Sequence, residues 1–214
     1  MIAEEAAVGG PFLVIGAVRG LVAEVAPVLQ RLEDFGPDAV GLGVSFDDLR
    51  GIRDYFVHVR AEPLVPLTPN ELAEIRGLGQ YGEIRVPNPS FIHAMEWASA
   101  RSVPVEALDP SEERYAGLFA KHIGYFELVR RTVTERRLTK RAPMADNADD
   151  FALQWDNVLS SGRGSRDLAL ARNLTLIDGA VRLGRGGKRV AIVLDRERFA
   201  PALGLLKQRP QTPD

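Results

Sequence analysis

The run Phe12-Leu-Val-Ile-Gly16 is apolar throughout and follows Gly-Gly-Pro, which predicts a short buried strand. Leu21, Val22, Val25, Val28, Leu29 and Leu32 then recur at helical spacing. They predict an amphipathic helix over 21–34, stopped by Gly36-Pro37. The stretch from Asp38 to Val44 is a second buried strand by the same signature. A strand, a crossover helix and a strand form a βαβ unit. Its strands run parallel and are covered on both faces, which is why they are uniformly apolar and do not alternate. Lys188 to Leu194 predicts the last buried strand, and Ala200 to Leu206 a final short helix.

The middle of the chain is punctuated by helix caps. Thr68-Pro69-Asn70-Glu71 has a capping hydroxyl, a proline at the first helical position and an acid three residues past the cap. Asn88-Pro89 opens a helix to about Ala100, and Asp109-Pro110-Ser111-Glu112 opens a longer one that continues past Glu127. Val103 to Leu108 reads as a strand whose proline suggests an edge or a strand start, and Glu83 to Val86 as another short strand. Residues 139–148 read as a polar loop, followed by a helix carrying Phe151 and Trp155 at i and i+4. Gly162-Arg-Gly164 breaks the chain, and apolar positions 170, 174, 177 and 181 mark one more helix over 165–183. The expected architecture is α/β: a mainly parallel sheet flanked by helices, with a helical insertion at about 110–160 before the last helix–strand unit. A single domain over 1–207 and a flexible tail over 208–214 complete it.

Composition narrows the chemistry. The 214 residues include no cysteine, which removes disulfides, thiolate catalysis and Cys-ligated zinc. The net charge of −2 gives no global field for nucleic acid or an anionic membrane. The segment Arg130 to Arg141 is a local exception with six basic residues and one Glu135; the default reading is a solvated face, the alternative a nucleic-acid contact. No apolar run is long enough to span a membrane, and the acidic start Met1-Ile-Ala-Glu-Glu is unlike a secretory leader, so a cytoplasmic protein is expected.

Four segments in order resemble the TraB/PrgY/TIKI-type superfamily. Phe12-Leu-Val-Ile-Gly-Ala-Val-Arg19 sits where that family has a strand ending in Gly-Thr-x-His, and Pro37 to Gly43 is similar to its Pro-Asp-x-Val-x-x-Glu strand. Ala94 to Asp109 matches the layout of its middle segment, which ends in Asp-Arg. Ser165-Arg-Asp167, a helix, and Lys188 to Arg198 match its Glu-Arg-Asp motif, helix and terminal strand ending in His. The resemblance implies a metal or hydrolytic constellation of two histidines and a glutamate. Here those positions are Arg19, Arg198 and Gly43, and the first motif residue is Ser165. Arginine presents only donors and keeps its proton, so it neither binds a cation nor acts as a base. The resemblance therefore implies a member without the metal site and without a cofactor.

Ligands of open parallel sheets bind beyond the carboxyl ends of the strands, where Arg19, Asp109, Asp195 and Arg198 fall. With Arg166 and Asp167 at the start of a helix, they are the expected ligand-binding set, a cleft for a phosphate or carboxylate. Each has a plainer reading. Asp109 reads first as a helix N-cap, Asp167 as first-turn dipole complementation and Arg166 as an ion-pair partner. The three histidines do not cluster: His93 and Glu96 share a helix face without a third ligand, while His58 and His122 lie in aromatic surroundings. Gly184-Arg-Gly-Gly187 reads as a helix C-cap, and Gly162-Arg-Gly-Ser165 as a weak anion contact. Tyr115, Phe119 and Phe126, with Phe151 and Trp155, read as core or interface stripes, and a homodimer through 111–160 is expected from them. The functional expectation is a non-catalytic TraB-like protein that binds a small anion or a protein partner. The alternative is a hydrolase with a reduced site of Asp109, Arg166 and Asp167 and a base such as His58 or His93.

Overall fold

A computed structural model describes residues 4–8, 11–57 and 67–209, with 4–8 and 55–57 as backbone alone; His58 and residues 210–214 lie outside this range. Strands β1 (Glu4–Val8), β2 (Phe12–Ala17), β3 (Ala39–Leu42), β4 (Val105–Ala107) and β5 (Val190–Asp195) form one sheet in the order β1-β2-β5-β3-β4. The last four run parallel and β1 joins antiparallel at one edge, so the protein is α/β with a mainly parallel sheet. The strand β1 is absent from the elements expected from sequence. Its five residues, Glu-Glu-Ala-Ala-Val, lack the apolar run of a doubly covered strand, because an edge strand needs none.

One face of the sheet, with Leu13, Ile15, Val40, Leu42 and Val193, packs on α1 (Val25–Phe35), α2 (Phe46–Val57) and α4 (Pro89–Ala100). The predicted helix over 21–34 starts as a 3-10 turn, Val22–Glu24, and ends at Gly36, whose left-handed φ of 56° lets its amide reach Leu32 O. The other face, with Val14, Ile192 and Leu194, packs on α8 (Arg163–Leu183) and α9 (Arg196–Gln208). Gly16 permits this approach: a Cβ there would lie 2.6 Å from Phe199 Cβ.

A third apolar cluster sits beyond the carboxyl end of β2. Val18 and Leu21 meet Leu78 of α3 (Pro69–Leu78), Leu138 of α6 (Tyr125–Lys140), and Phe151 and Trp155 of α7 (Ala148–Leu159). The rings of Phe151 and Trp155 stack with centroids 5.6 Å apart. With α5 (Glu112–His122), these helices form the insertion expected near 110–160, joined by α3 from earlier in the chain. The Thr68 capping box is formed in full, since Thr68 and Glu71 each accept the other's amide.

Several expectations are corrected. The segment Glu83 to Val86 makes only an isolated bridge, Ile84 to Leu21. The single long helix after Asp109 is two helices, because the chain turns extended at Ile123 and Gly124. Phe46–Val57 is a helix absent from the expected elements, although Ser45 and Asp48 cap its start by each accepting the other's amide. Gly162 caps α8 and Arg163 and Gly164 lie inside it. The buried stripe of α8 is Leu168, Leu176, Ile177 and Ala180, whereas Leu170 and Leu174 of the predicted stripe are exposed. The final helix extends from Arg196 through Gln208, so the expected tail starts inside it.

Candidate functional site

The parallel strands end level with one another, and this places the chemistry. Ala17 pairs with Asp195, Leu42 with Val193 and with Ala107, so the residues just past each strand share one end of the sheet. Arg19 and Asp195 meet there: Arg19 Nη2 donates to Asp195 Oδ2 at 2.7 Å and lies 3.7 Å from Glu197 Oε1. Asp195 sits at the N-cap of α9 but makes no cap bond, because its other oxygen accepts from Asn88 Nδ2 at 3.3 Å. Asn88 is itself fixed by capping α4, where Ser90 N donates to its Oδ1.

The second pair is more buried. Arg198, on the first turn of α9, donates from Nε to Asn173 Oδ1 at 3.0 Å, from Nη1 to Gly43 O at 3.3 Å and from Nη2 to Asp109 Oδ1 at 2.9 Å. The other oxygen of Asp109 accepts from Arg172 Nη2. Asp109 is thus not the helix cap that its sequence context suggests; Ser111 caps α5, with its Oγ accepting from Arg114 N. Both carboxylate oxygens are held between two guanidiniums, an arrangement with strong, directional charge-assisted bonds.

Two cavities flank these pairs. A larger cleft of about 530 Å³ has apolar walls, among them Ile52, Ile75, Leu78, Ile84 and Phe91. It also carries six carboxylates, including Asp47, Asp48, Glu71 and Glu74, against the guanidiniums of Arg19, Arg85 and Arg172. A smaller cavity of about 190 Å³ reverses that balance. Arg19, Arg131, Arg172 and Arg198 line it with Asp156 and Glu197. Arg19 and Arg172 belong to both.

Electrostatics follow from burial. The guanidinium of Arg19 is raised well above its ordinary pKa, chiefly by Asp195. Burial pushes Glu197 up to about 7, and the Asp195 charge adds to this while Arg19 opposes it. Asp156 is raised by burial, against a hydrogen bond from Ser160. Burial thus works against the charged forms of both acids beside the four arginines. Arg172 also keeps a buried Nε–H that no described group accepts.

Of the residues expected from sequence, Arg19, Asp109, Asp195 and Arg198 come together at the strand ends. Arg166 and Asp167 do not join them. Arg166 donates to Ser161 O at 2.6 Å and lines a third, shallow cavity that adjoins the smaller one along Asp156, Ser160, Ala169, Asn173 and Pro201, while Asp167 faces Arg163 at 3.9 Å. The N-terminus of α8 already holds an anion of its own, because Ser165 N and Oγ both donate to Glu127 Oε1. Gly162-Arg-Gly-Ser165 is therefore occupied by a helix-to-helix contact. His93 Nδ1 lies 2.6 Å from Glu96 Oε2 on a half-buried helix face.

Two members of the smaller cavity, Arg131 and Arg172, are outside the strand-end set. Arg172 had a legible signal, since it stands between Leu168 and Leu176 on the buried stripe of α8. Arg131 had none, because it is one of six cations in a run that reads as a solvated face.

The metal site implied by the TraB-type resemblance does not fit these residues. Arg19 and Arg198 offer donors only, and a Cβ on Gly43 would stand 2.9 Å from Leu194 Cβ, so a glutamate there requires the sheet to shift. Among the described residues no group of three or more His, Asp or Glu is placed to hold a metal ion. No helix among them is long and apolar enough to cross a membrane. No family model matches the chain, and no curated protein matches it.

Proposed function

We propose that this chain is a cytoplasmic TraB-like protein that acts by binding a small anion at the carboxyl ends of its parallel strands rather than by hydrolysis. The observation that carries this reading is the convergence of Arg19, Arg131, Arg172 and Arg198 on one cavity of about 190 Å³. Guanidiniums recognise phosphate and carboxylate through paired, charge-assisted donors, and a concave site with few competing acceptors strengthens them. The hydrolase alternative requires Asp109, Arg166 and Asp167 to act together. Asp109 is held by two arginines, and Arg166 donates to Ser161 O and lines neither of the two cavities that meet Asp109 and its partners. The binding reading is the one the geometry favours.

The experiment is thermal unfolding in phosphate against chloride at matched ionic strength. A ligand bound to the folded state alone raises the melting temperature with concentration. The expected result is a rise in phosphate that Arg131→Gln abolishes. Identical melting in the two salts would rule out the anion site.

A homodimer through 111–160 belongs to the same proposal. Tyr125, Phe126, Leu128, Val129 and Val133 stand exposed on α6, with Phe126 at 87 %. An apolar helix face of this kind is costly to leave in water, and a second copy of the same face covers it symmetrically.

A further inference from the structure

Arg19 and Arg172 line both cavities, so a ligand that reached past these two residues would occupy one site with two unlike halves. We propose that its ligand is a phosphomonoester of an uncharged, largely apolar molecule, with the phosphate in the smaller cavity and the body in the larger cleft. This rests on the anion-binding reading above and specifies which anion.

The smaller cavity selects the head. Among its arginines, Arg198 is largely committed, giving three donors to Asn173, Gly43 and Asp109. Arg131 lies over the Phe119 ring and makes a long contact, 3.9 Å, with Glu135, and Arg172 retains its buried Nε–H. Arg19 spends Nη2 on Asp195 and Glu197. The arginines with N–H groups left over stand on three elements, Arg19 after β2, Arg131 on α6 and Arg172 on α8, around about 190 Å³, and a compact tetrahedral dianion takes donors from three sides more readily than a planar carboxylate. Tyr115 and Ser160 also line this cavity, with the Ser160 hydroxyl given to Asp156.

The larger cleft selects the body. Ile52, Ile75, Leu78, Ile84 and Phe91 supply apolar contact, and Val86 and Pro87 border the same space. Its carboxylates repel a second anionic group and accept hydrogen bonds from hydroxyls or amines. Polyphosphates, nucleic acid and dicarboxylates are disfavoured by this charge pattern. A single phosphate on an apolar body satisfies both halves.

Calorimetric titration of the full chain with inorganic phosphate, phenyl phosphate and pyrophosphate tests the assignment. Phenyl phosphate is expected to bind about tenfold or more tightly than inorganic phosphate, because the ring adds apolar contact in the larger cleft. Val86→Asp, at a position 45 % exposed where folding does not depend on the side chain, should remove most of that advantage and leave inorganic phosphate binding within about twofold. Ile75→Asn, on α3, should act in the same way. Arg131→Gln should weaken both phosphates together. Equal affinity for inorganic and phenyl phosphate, or an advantage that survives both cleft variants, overturns the two-part site and leaves the anion reading standing. Tighter binding of pyrophosphate than of phenyl phosphate also overturns it. No binding of any of the three overturns both.

Discussion

Glu24 shows what a single carboxyl costs when the fold gives it too few partners. It is 2 % exposed in the turn before α1, and its Oε2 accepts nothing from the described residues. Burial raises it to about 7, the Asp149 charge adds to this, and Arg196 opposes it. Glu197 at the candidate site is raised to about 7 for the same leading reason. The sign follows from linkage. Between about 4.5 and 7 the folded state holds protons that the unfolded chain has released, so stability falls as pH rises through this window. Urea midpoints are expected to be higher at pH 5.5 than at pH 8. Glu24→Gln should stabilise the protein at pH 8 by on the order of 1–3 kcal/mol and flatten the profile. A midpoint that rises from pH 5.5 to pH 8 would contradict this account. Neither acid is conspicuous in the sequence, because burial is a tertiary property and the charges of Asp149 and Arg196 on Glu24, and of Arg19 on Glu197, come from distant parts of the chain.

At the scale of elements, the joint between α6 and α8 determines where Arg131 and Arg172 stand. Glu127 receives two bonds from Arg130, at 2.7 and 3.2 Å, and two from Ser165, at 2.7 and 3.2 Å. These donors hold its carboxyl down to about 2, the Arg130 bond first and the Ser165 hydroxyl next. The stability it supplies is complete above its ordinary carboxylate range and is lost as pH falls toward about 2. Close packing accompanies the bonds: a Cβ on Gly164 would meet His122 O at 2.2 Å, and that oxygen is backbone and cannot swing away. Gly164→Ala is therefore expected to cost about 1–3 kcal/mol in equilibrium denaturation, and Glu127→Gln about 1–3 kcal/mol, with the Gln variant losing less than the parent below pH 4. Periodicity and caps foretell the helices themselves. The Gly162-Arg-Gly164 signal is visible as well, but its partner Glu127 is 38 residues distant from Ser165 and only the packed structure reveals it.

At the scale of the whole molecule, the apolar face of α6 is the feature that the isolated chain leaves uncovered. Phe126 and Tyr125 at its N-terminal end are 87 % and 76 % exposed, and their rings pack edge-to-face only on each other. Light scattering is expected to give twice the chain mass of 23.4 kDa, and Phe126→Glu with Val133→Glu should return the protein to one copy. A parent mass of a single chain would end the dimer reading. The α/β class, the βαβ unit at residues 12–44, the edge position of Val105–Ala107 and the cap-marked helices were all written in the sequence, because buried parallel strands and helix caps are local patterns with local causes. So was the placement of Arg19, Asp109 and Arg198 just past strand ends, with Asp195 the last residue of its strand rather than beyond it. Tertiary structure alone decided that Asp109 is clasped by two arginines, that Arg166 and Asp167 stand elsewhere, and that Arg131 and Arg172 complete the cavity. Strand ends are fixed by hydrogen-bond register, which a sequence can anticipate. The meeting of side chains from α6, α8 and α9 depends on how three helices dock, and no local pattern encodes that.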